Sequence, residues 1–196
     1  TITYSISGGA DAARFTINAS SGALSFVAAP DYEAPADAGA NNVYDVIVQA
    51  SDGTLTDTQA IAVTVTPTND NAPVIGSNGG GATAAVSVAE NNSAVTTVTA
   101  SDADLPAQTL AYSISGGADA ALFSIDSATG VLSFNSAPDF EAPADVGGNN
   151  VYDVTVQVSD GAGGNDTQAI AVTVTNANEA PLITSNGGGA TAAVSV

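Results

Sequence analysis

Val151-Tyr-Asp-Val-Thr-Val-Gln-Val-Ser159 alternates residue by residue between apolar and polar side chains. Val154, Val156 and Val158 share one parity; Asp153, Thr155, Gln157 and Ser159 share the other. Successive side chains leave an extended chain on opposite sides, so a period of two buries one face of a strand. Ala169-Ile-Ala-Val-Thr-Val-Thr175 reads the same way, with β-branched residues through its centre. Further runs of this kind cover 82–88, 94–100, 109–115, 121–125 and 131–134, and the two longest extend over 151–159 and 167–175. Gly116-Gly117, Ala128-Thr-Gly130, Gly147-Gly148 and Gly161 punctuate them where a turn needs positive φ. No stretch carries a helical stripe. Seven short strands in about 100 residues predict an all-β fold, a seven-stranded antiparallel Greek-key sandwich of immunoglobulin-like kind. Its expected core is Val86, Val88, Tyr112, Ile114, Phe123, Ile125, Leu132, Phe134, Val154, Val156, Ile170 and Val172.

The pattern is duplicated. Tyr4-Ser-Ile-Ser-Gly-Gly-Ala-Asp11 returns as Tyr112 to Asp119, a spacing of 108 residues, and Asp31-Tyr-Glu-Ala-Pro-Ala-Asp37 returns as Asp139-Phe-Glu-Ala-Pro-Ala-Asp145. Residues 77–88 return letter for letter as 185–196. Near-identical units in tandem give a rod-like array of one module, and the question becomes what the module and its junctions need. Residues 1–72 read as a repeat lacking its first two strands, 73–180 as a complete repeat, and 181–196 as the first strand of a third. With no initiator Met or signal peptide in view, the expectation is an internal window on a longer repetitive polypeptide. The alternative is that residues 181–196 of one chain pack as a strand on the incomplete first unit of another.

Composition excludes several functions. The 196 residues hold 20 Asp and Glu against one basic residue, Arg14, for a net charge of −19, which argues against nucleic acid or an anionic membrane as partner. Hydrophobic residues make up 44%, so this is no disordered acidic tail. Without Cys there are no disulfides or thiolate metal sites, and without His the usual zinc ligand and general base are missing. No apolar run approaches the roughly 18 residues of a transmembrane helix, so no membrane insertion is expected in this segment.

The carboxylates are grouped. Asp102-Ala-Asp104 follows the second strand, Asp139-Phe-Glu141 lies between strands, and Asn69-Asp70-Asn71-Ala72-Pro73 stands between the repeats. Glu90 closes the first strand of the complete unit, and Asp160-Gly161 follows its sixth. Alternate residues of extended chain point the same way, so Asp-x-Asp or Asp-x-Glu aims two carboxylates at one point. Calcium asks for six to eight oxygens, and these stretches offer only oxygen.

In their order these elements resemble the cadherin repeat family, in its bacterial form. The resemblance rests on Ala89-Glu90-Asn91, Asp102-Ala-Asp104 before Leu110-Ala-Tyr112-Ser-Ile114, and Phe123-Ser-Ile-Asp126 with Thr129-Gly130. It continues through Asp139-Phe-Glu141, Val156-Gln-Val-Ser-Asp160-Gly161 and the Asn69 to Pro73 linker. It implies calcium between consecutive domains, locking them into a rod. One junction would draw on Asp31, Glu33, Asn69, Asp70, Asn71, Asp102, Asp104 and Asp160; the next on Glu90, Asp139, Glu141, Asn178 and Glu179. Pro67 and the linker Asn176-Ala-Asn-Glu-Ala-Pro181 depart from the family's pattern.

Turn chemistry competes with metal binding, because Asp and Asn side chains cap backbone amides. Asp11, Asp126, Asp145 and Asp153 read first as turn formers; Asp102, Asp104, Asp139 and Glu141 read first as ligands. Gly79-Gly80-Gly81 lacks the Lys and helix of a phosphate loop. The resulting expectation is a non-catalytic, calcium-stiffened extracellular spacer, a stalk repeat of a large bacterial adhesin that mediates adhesion. Its partners would be neighbouring repeats. The alternative is a structural subunit of an extracellular filament or surface layer, in which identical chains meet through strands. A sugar-binding module would need an aromatic platform, and aromatics are 5% with no Trp. Duplicated carboxylate pairs in linkers fit no glycosidase cleft.

Overall fold

The computed structural model describes residues 1–181, with Ser185 and Thr191 beyond; the expected strand of a third repeat thus lies outside the described residues apart from those positions. Among the described residues strand accounts for 43% and helix for 4%, with 3₁₀ turns at Ala12–Arg14 and Ala120–Leu122. Two compact units emerge. The first comprises Thr1–Pro73, Asp102–Thr109 and Asp160–Gly164; the second comprises Val74–Ser101, Leu110–Ser159 and the stretch from Asn165.

In the second unit β6 is Val74–Ile75, β7 Thr83–Ala89, β8 Ala94–Thr97, β9 Ala100–Ser101 and β10 Ala111–Gly116. β11 is Phe123–Ile125, β12 Val131–Phe134, β13 Val151–Ser159 and β14 Asn165–Thr175. One sheet runs β10-β13-β14-β7 and the opposing one β11-β12-β8, with β6 paired to β9. Inward side chains from both faces build the core, where Leu132, Val98, Val156, Val158 and Val172 are fully buried. Phe123 stacks on Phe134 at 4.5 Å, and both set their faces edge-on to Tyr152. The Tyr152 hydroxyl accepts the Ala144 amide at 3.1 Å, which ties the loop 135–150 to the sheet.

Of the expected core, Val88, Tyr112, Phe123, Leu132, Phe134, Val154, Val156, Ile170 and Val172 are buried, and Val86, Ile114 and Ile125 are partly buried against them. The sheets are not wholly antiparallel. β7 pairs β14 in parallel, Thr83 opposite Ala169 through Ala89 opposite Thr175. The run 94–100 divides, because β8 joins β12 whereas β9 joins β6. The run 121–125 begins as a 3₁₀ turn, Ala120–Leu122, and pairs as β11 only from Phe123.

In the first unit β1 is Thr3–Gly8, β2 Phe15–Ile17, β3 Leu24–Phe26, β4 Val43–Ser51 and β5 Thr56–Thr64. Its sheets run β1-β4-β5 and β2-β3. The pairing copies the second unit down to a bulge: register shifts between Ile6 and Gly8, and again between Ile114 and Gly116. Gly9 and Gly117 follow at φ 107°, and a side chain on Gly117 would meet the Asp153 carbonyl. The core is smaller, with Phe15, Tyr44 and Val46 buried.

Candidate metal centres

Within the first unit, Glu33, Asp70 and Asp104 each bring a carboxylate oxygen within 4.8 Å of the others. Asp104 is 1% exposed. Its Oδ1 accepts both the side-chain amide of Asn71 at 2.8 Å and the Asn71 backbone N–H at 3.2 Å, and the Gln108 side chain donates to its Oδ2 at 3.3 Å. The Asn71 side chain, first among these donors, holds the Asp104 carboxyl below the usual carboxylate range against the opposing pull of burial. The carboxylate is therefore charged at neutral pH. Glu33 Oε1 accepts the Leu105 amide at 3.2 Å. Asn69 donates its side-chain amide to Gln108.

Within the second unit, Glu90, Asp139 and Glu141 form a second group, also within 4.8 Å. Glu90 is 3% exposed at the end of β7, where its Oε1 accepts the Ala177 amide and its Oε2 the Phe140 amide, both at 2.8 Å. The Ala177 amide, then the Phe140 amide, hold the Glu90 carboxyl below its ordinary range. One side chain thus pins the linker strand and the loop that carries Asp139 and Glu141. The loop's own shape comes from Asp145, whose two oxygens accept the Asn149 and Asn150 amides at 3.0 Å. Asn176 donates to Glu141 Oε1, and Asn91 donates to Glu179 Oε1 at 2.6 Å.

The expected ligands divide between these roles. Asp31 Oδ1 accepts the Glu33 and Ala34 amides, and Asp139 Oδ1 accepts the Glu141 and Ala142 amides, so each Asp forms the turn that presents the Glu two residues on. Asp139 also stands in its carboxylate group; Asp31 does not. Asp160 spends its oxygens on the amides of Ala162, Gly163 and Gly164. Asp102 Oδ1 accepts the Asp104 amide, while its Oδ2 is buried without a hydrogen-bond partner. That orphaned oxygen suits a cation, since burying an unpaired carboxylate oxygen is costly. No described contact places Asn178 in a group. Gln108, Asn176 and Asn91 were not foreseen; their amides carry no spacing signal. Asp126 behaves as the turn former expected, accepting the Ala128 and Thr129 amides, whereas Asp11 ties distant segments together, accepting Ala38 N–H at 2.7 Å and Asp45 N–H at 2.8 Å.

The donor set fits a hard cation. Every converging group is a carboxylate oxygen, and the Asn and Gln amides around them can present oxygen by rotating. The amides satisfy lone pairs but leave the negative charge uncancelled.

The arrangement is a two-sheet sandwich with acidic groups gathered at the ends of its strands. Residues 84–175 match the family described as Cadherin domain. The chain is 33% identical to human Protocadherin Fat 1 over 166 residues, 81% of this chain and 3% of that protein's length. The crystal structure of human protocadherin-24 EC1-2, form II, superposes with TM-score 0.67 at 23% identity, over 90% of this chain and 82% of that one. The protocadherin GammaB4 extracellular domain superposes with TM-score 0.58 at 25% identity, over 88% of this chain and 27% of that one.

Proposed function

We propose that the chain is a calcium-stiffened spacer of an extracellular adhesion protein, built of tandem repeats with boundaries near 1–72, 73–180 and 181–196. The convergence of Glu33, Asp70 and Asp104 in one group and of Glu90, Asp139 and Glu141 in another carries this reading. Asp102, whose Oδ2 has no hydrogen-bond partner, and the linker residues Asn69, Asn71 and Glu179 would complete the shells, while Asp31 and Asp160 shape the loops beside them. Without a cation the clustered carboxylates repel; with one, oxygens from separate stretches share an ion and the chain between them stiffens. Extracellular placement draws support from the extracellular protocadherin domain above, and the function is non-catalytic. Among the described residues no helix is long and apolar enough to cross a membrane. Near-identity of successive copies suits a stalk in a large surface adhesin, the bacterial type named from the sequence.

The test is a calcium titration of the 196-residue chain, followed by thermal melting and small-angle scattering. An affinity on the order of 10⁻⁴–10⁻³ M fits extracellular modules. At a hundredfold excess over Kd, binding stabilises the folded state by about 2.7 kcal/mol. Asp104→Asn and Glu90→Gln should each shrink the calcium-dependent rise in Tm. If EDTA changes neither Tm nor maximum dimension, these residues are turn formers and the proposal fails. A second reading, a filament subunit, is favoured by the edge of β5, with which no strand pairs among the described residues.

A further inference from the structure

Three stretches read Asn-x-Ser or Asn-x-Thr with no Pro between: Asn18-Ala-Ser20, Asn91-Asn-Ser93 and Asn165-Asp-Thr167. That spacing is the acceptor pattern for a glycan on the Asn side-chain amide. Besides the pattern, transfer needs an exposed segment and an Nδ2 that is not already engaged. The fold meets these needs unequally.

Asn165 opens β14, where its backbone is paired with Ser159 and that of Thr167 with Gln157. Its Oδ1 accepts the Gln157 side chain at 3.3 Å, and the intervening Asp166 is tied to the Ile75 and Thr167 amides, both at 2.8 Å. Asn91 is exposed, yet its Nδ2 donates to Glu179 Oε1 at 2.6 Å and its backbone amide to the Pro138 carbonyl at 2.9 Å. Attack from that nitrogen would first break a hydrogen bond to a carboxylate, one of the stronger kinds.

Asn18 stands differently. It begins the turn between β2 and β3, and Asn18, Ala19, Ser20 and Ser21 are all exposed. Its Oδ1 accepts the Ser20 and Ser21 amides at 3.0 and 2.9 Å, so the side-chain oxygen closes the turn. No described hydrogen bond engages its Nδ2. The second unit holds the same turn 108 residues on, with Asp126 Oδ1 accepting the Ala128 and Thr129 amides at 3.0 and 2.8 Å. Asp126 to Thr129 are exposed there too, with β7 and β8 in place, so exposure belongs to the turn itself. Two differences between the copies make the acceptor: Asn18 for Asp126 supplies the nitrogen, and Ser20 for Ala128 supplies the hydroxyl. β2 and β3 are antiparallel, Phe15 opposite Phe26 and Ile17 opposite Leu24, so this turn leaves one end of the hairpin and the loop carrying Glu33 leaves the other.

We propose that Asn18 is an N-glycan acceptor, and the preferred one of the three. The donor class is a polyprenyl-diphosphate-linked oligosaccharide. Nδ2 attacks C1 of its first sugar; the Nδ2–C1 bond forms, the bond from C1 to the diphosphate oxygen breaks, and polyprenyl diphosphate leaves. One Nδ2 proton passes to a base of the transferase, and nothing is oxidised or reduced. The two amides on Oδ1 draw electron density towards oxygen and so favour loss of that proton. The inference does not rest on calcium.

The test treats the folded 196-residue chain with an oligosaccharyltransferase and a polyprenyl-diphosphate-linked oligosaccharide, then reads intact mass and maps the modified peptide. One glycan per chain is expected, on Asn18, with Asn91 and Asn165 left bare. Asn18→Asp copies Asp126, so it should keep the turn and the Tm while losing the glycan. Ser20→Ala, which copies Ala128, should lose it as well, and Ser20→Thr should retain it. A folded chain left without glycan under conditions that modify a control acceptor peptide would overturn the inference. So would a glycan found on Asn91 or Asn165 in preference to Asn18, or a mass increment that survives Asn18→Asp.

Discussion

Residues 57–66 and 166–175 are identical letter for letter, so a substitution can be made twice in the same local sequence, as Val172→Ala and Val63→Ala. Val172 is 0% exposed, walled by β13, β7 and the facing sheet. Its two deleted methyl groups are worth about 0.8 kcal/mol each in transfer from water, and the cavity left behind adds to that, for a total of about 2–3 kcal/mol. Val63 is half-buried on an edge. Part of its surface is already hydrated and the site opens to solvent, so no closed cavity forms, and the cost is below about 1 kcal/mol. Urea unfolding followed by tyrosine fluorescence reads both, each variant compared in the transition of its own unit and at a dilution where the chain sediments as monomer. Equal costs would show that the first unit's core is closed without a neighbour for β5. The reasoning from the open edge would then collapse.

Other consequences follow from the carboxylates and the bulge glycines. Asp37, Glu90 and Asp104 are each held below the ordinary carboxylate range by hydrogen bonds, led by the Asn41 amide, the Ala177 amide and the Asn71 side chain respectively. A depressed folded value contributes stability above the unfolded values, about 3.9 for Asp and 4.3 for Glu, and that stability is lost as pH falls through the folded values. The urea midpoint in EDTA should therefore hold level from pH 7 to 5 and drop below about 4; a fall already complete at pH 5 contradicts the assignment. Gly117→Ala forces a side chain onto the Asp153 carbonyl at φ 107° and should cost at least about 1–3 kcal/mol in the same urea assay, whereas Gly53→Ala, with no atom near and a similar φ, should cost less.

Much of the fold was legible because alternation is direct physics: the inward parity of 166–175 names Ile170, Val172 and Val174, and also Gln168, whose amide is buried by the Gly-rich loop rather than exposed. Alternation carries no direction, so the parallel pairing of β7 with β14 could not be read from it. Nor does it mark where a strand changes partner, as the run 94–100 does around Val98. At the carboxylates, spacing singled out Asp139-Phe-Glu141 because both side chains leave one turn, but it could not tell that Asp31 and Asp160 spend oxygens on neighbouring amides. Gln108 and Asn176 reach the groups only through tertiary placement.

The charge balance points to an external partner for these groups. A single Arg against 20 carboxylates cannot neutralise two separate triads, and amide donors satisfy oxygens without cancelling charge. Mobile salt is a poor substitute: at 0.15 M the Debye length is about 8 Å, longer than the 4.8 Å that bounds each triad, so sodium chloride leaves the repulsion within a triad largely intact. A divalent ion seated among the oxygens removes it at its source. In 0.15 M sodium chloride, millimolar calcium should therefore raise Tm by several degrees, as about 1 kcal/mol shifts a domain of this size by roughly 4–8 °C. Sodium chloride added to the same ionic strength as the calcium salt should leave Tm within a degree or so of its starting value. Differential scanning calorimetry of the two series decides between a seated ion and diffuse screening. Coincident curves would mean that the triads only feel the ionic atmosphere, and that amide donors such as Asn71, Gln108, Phe140 and Ala177 suffice for Asp104 and Glu90.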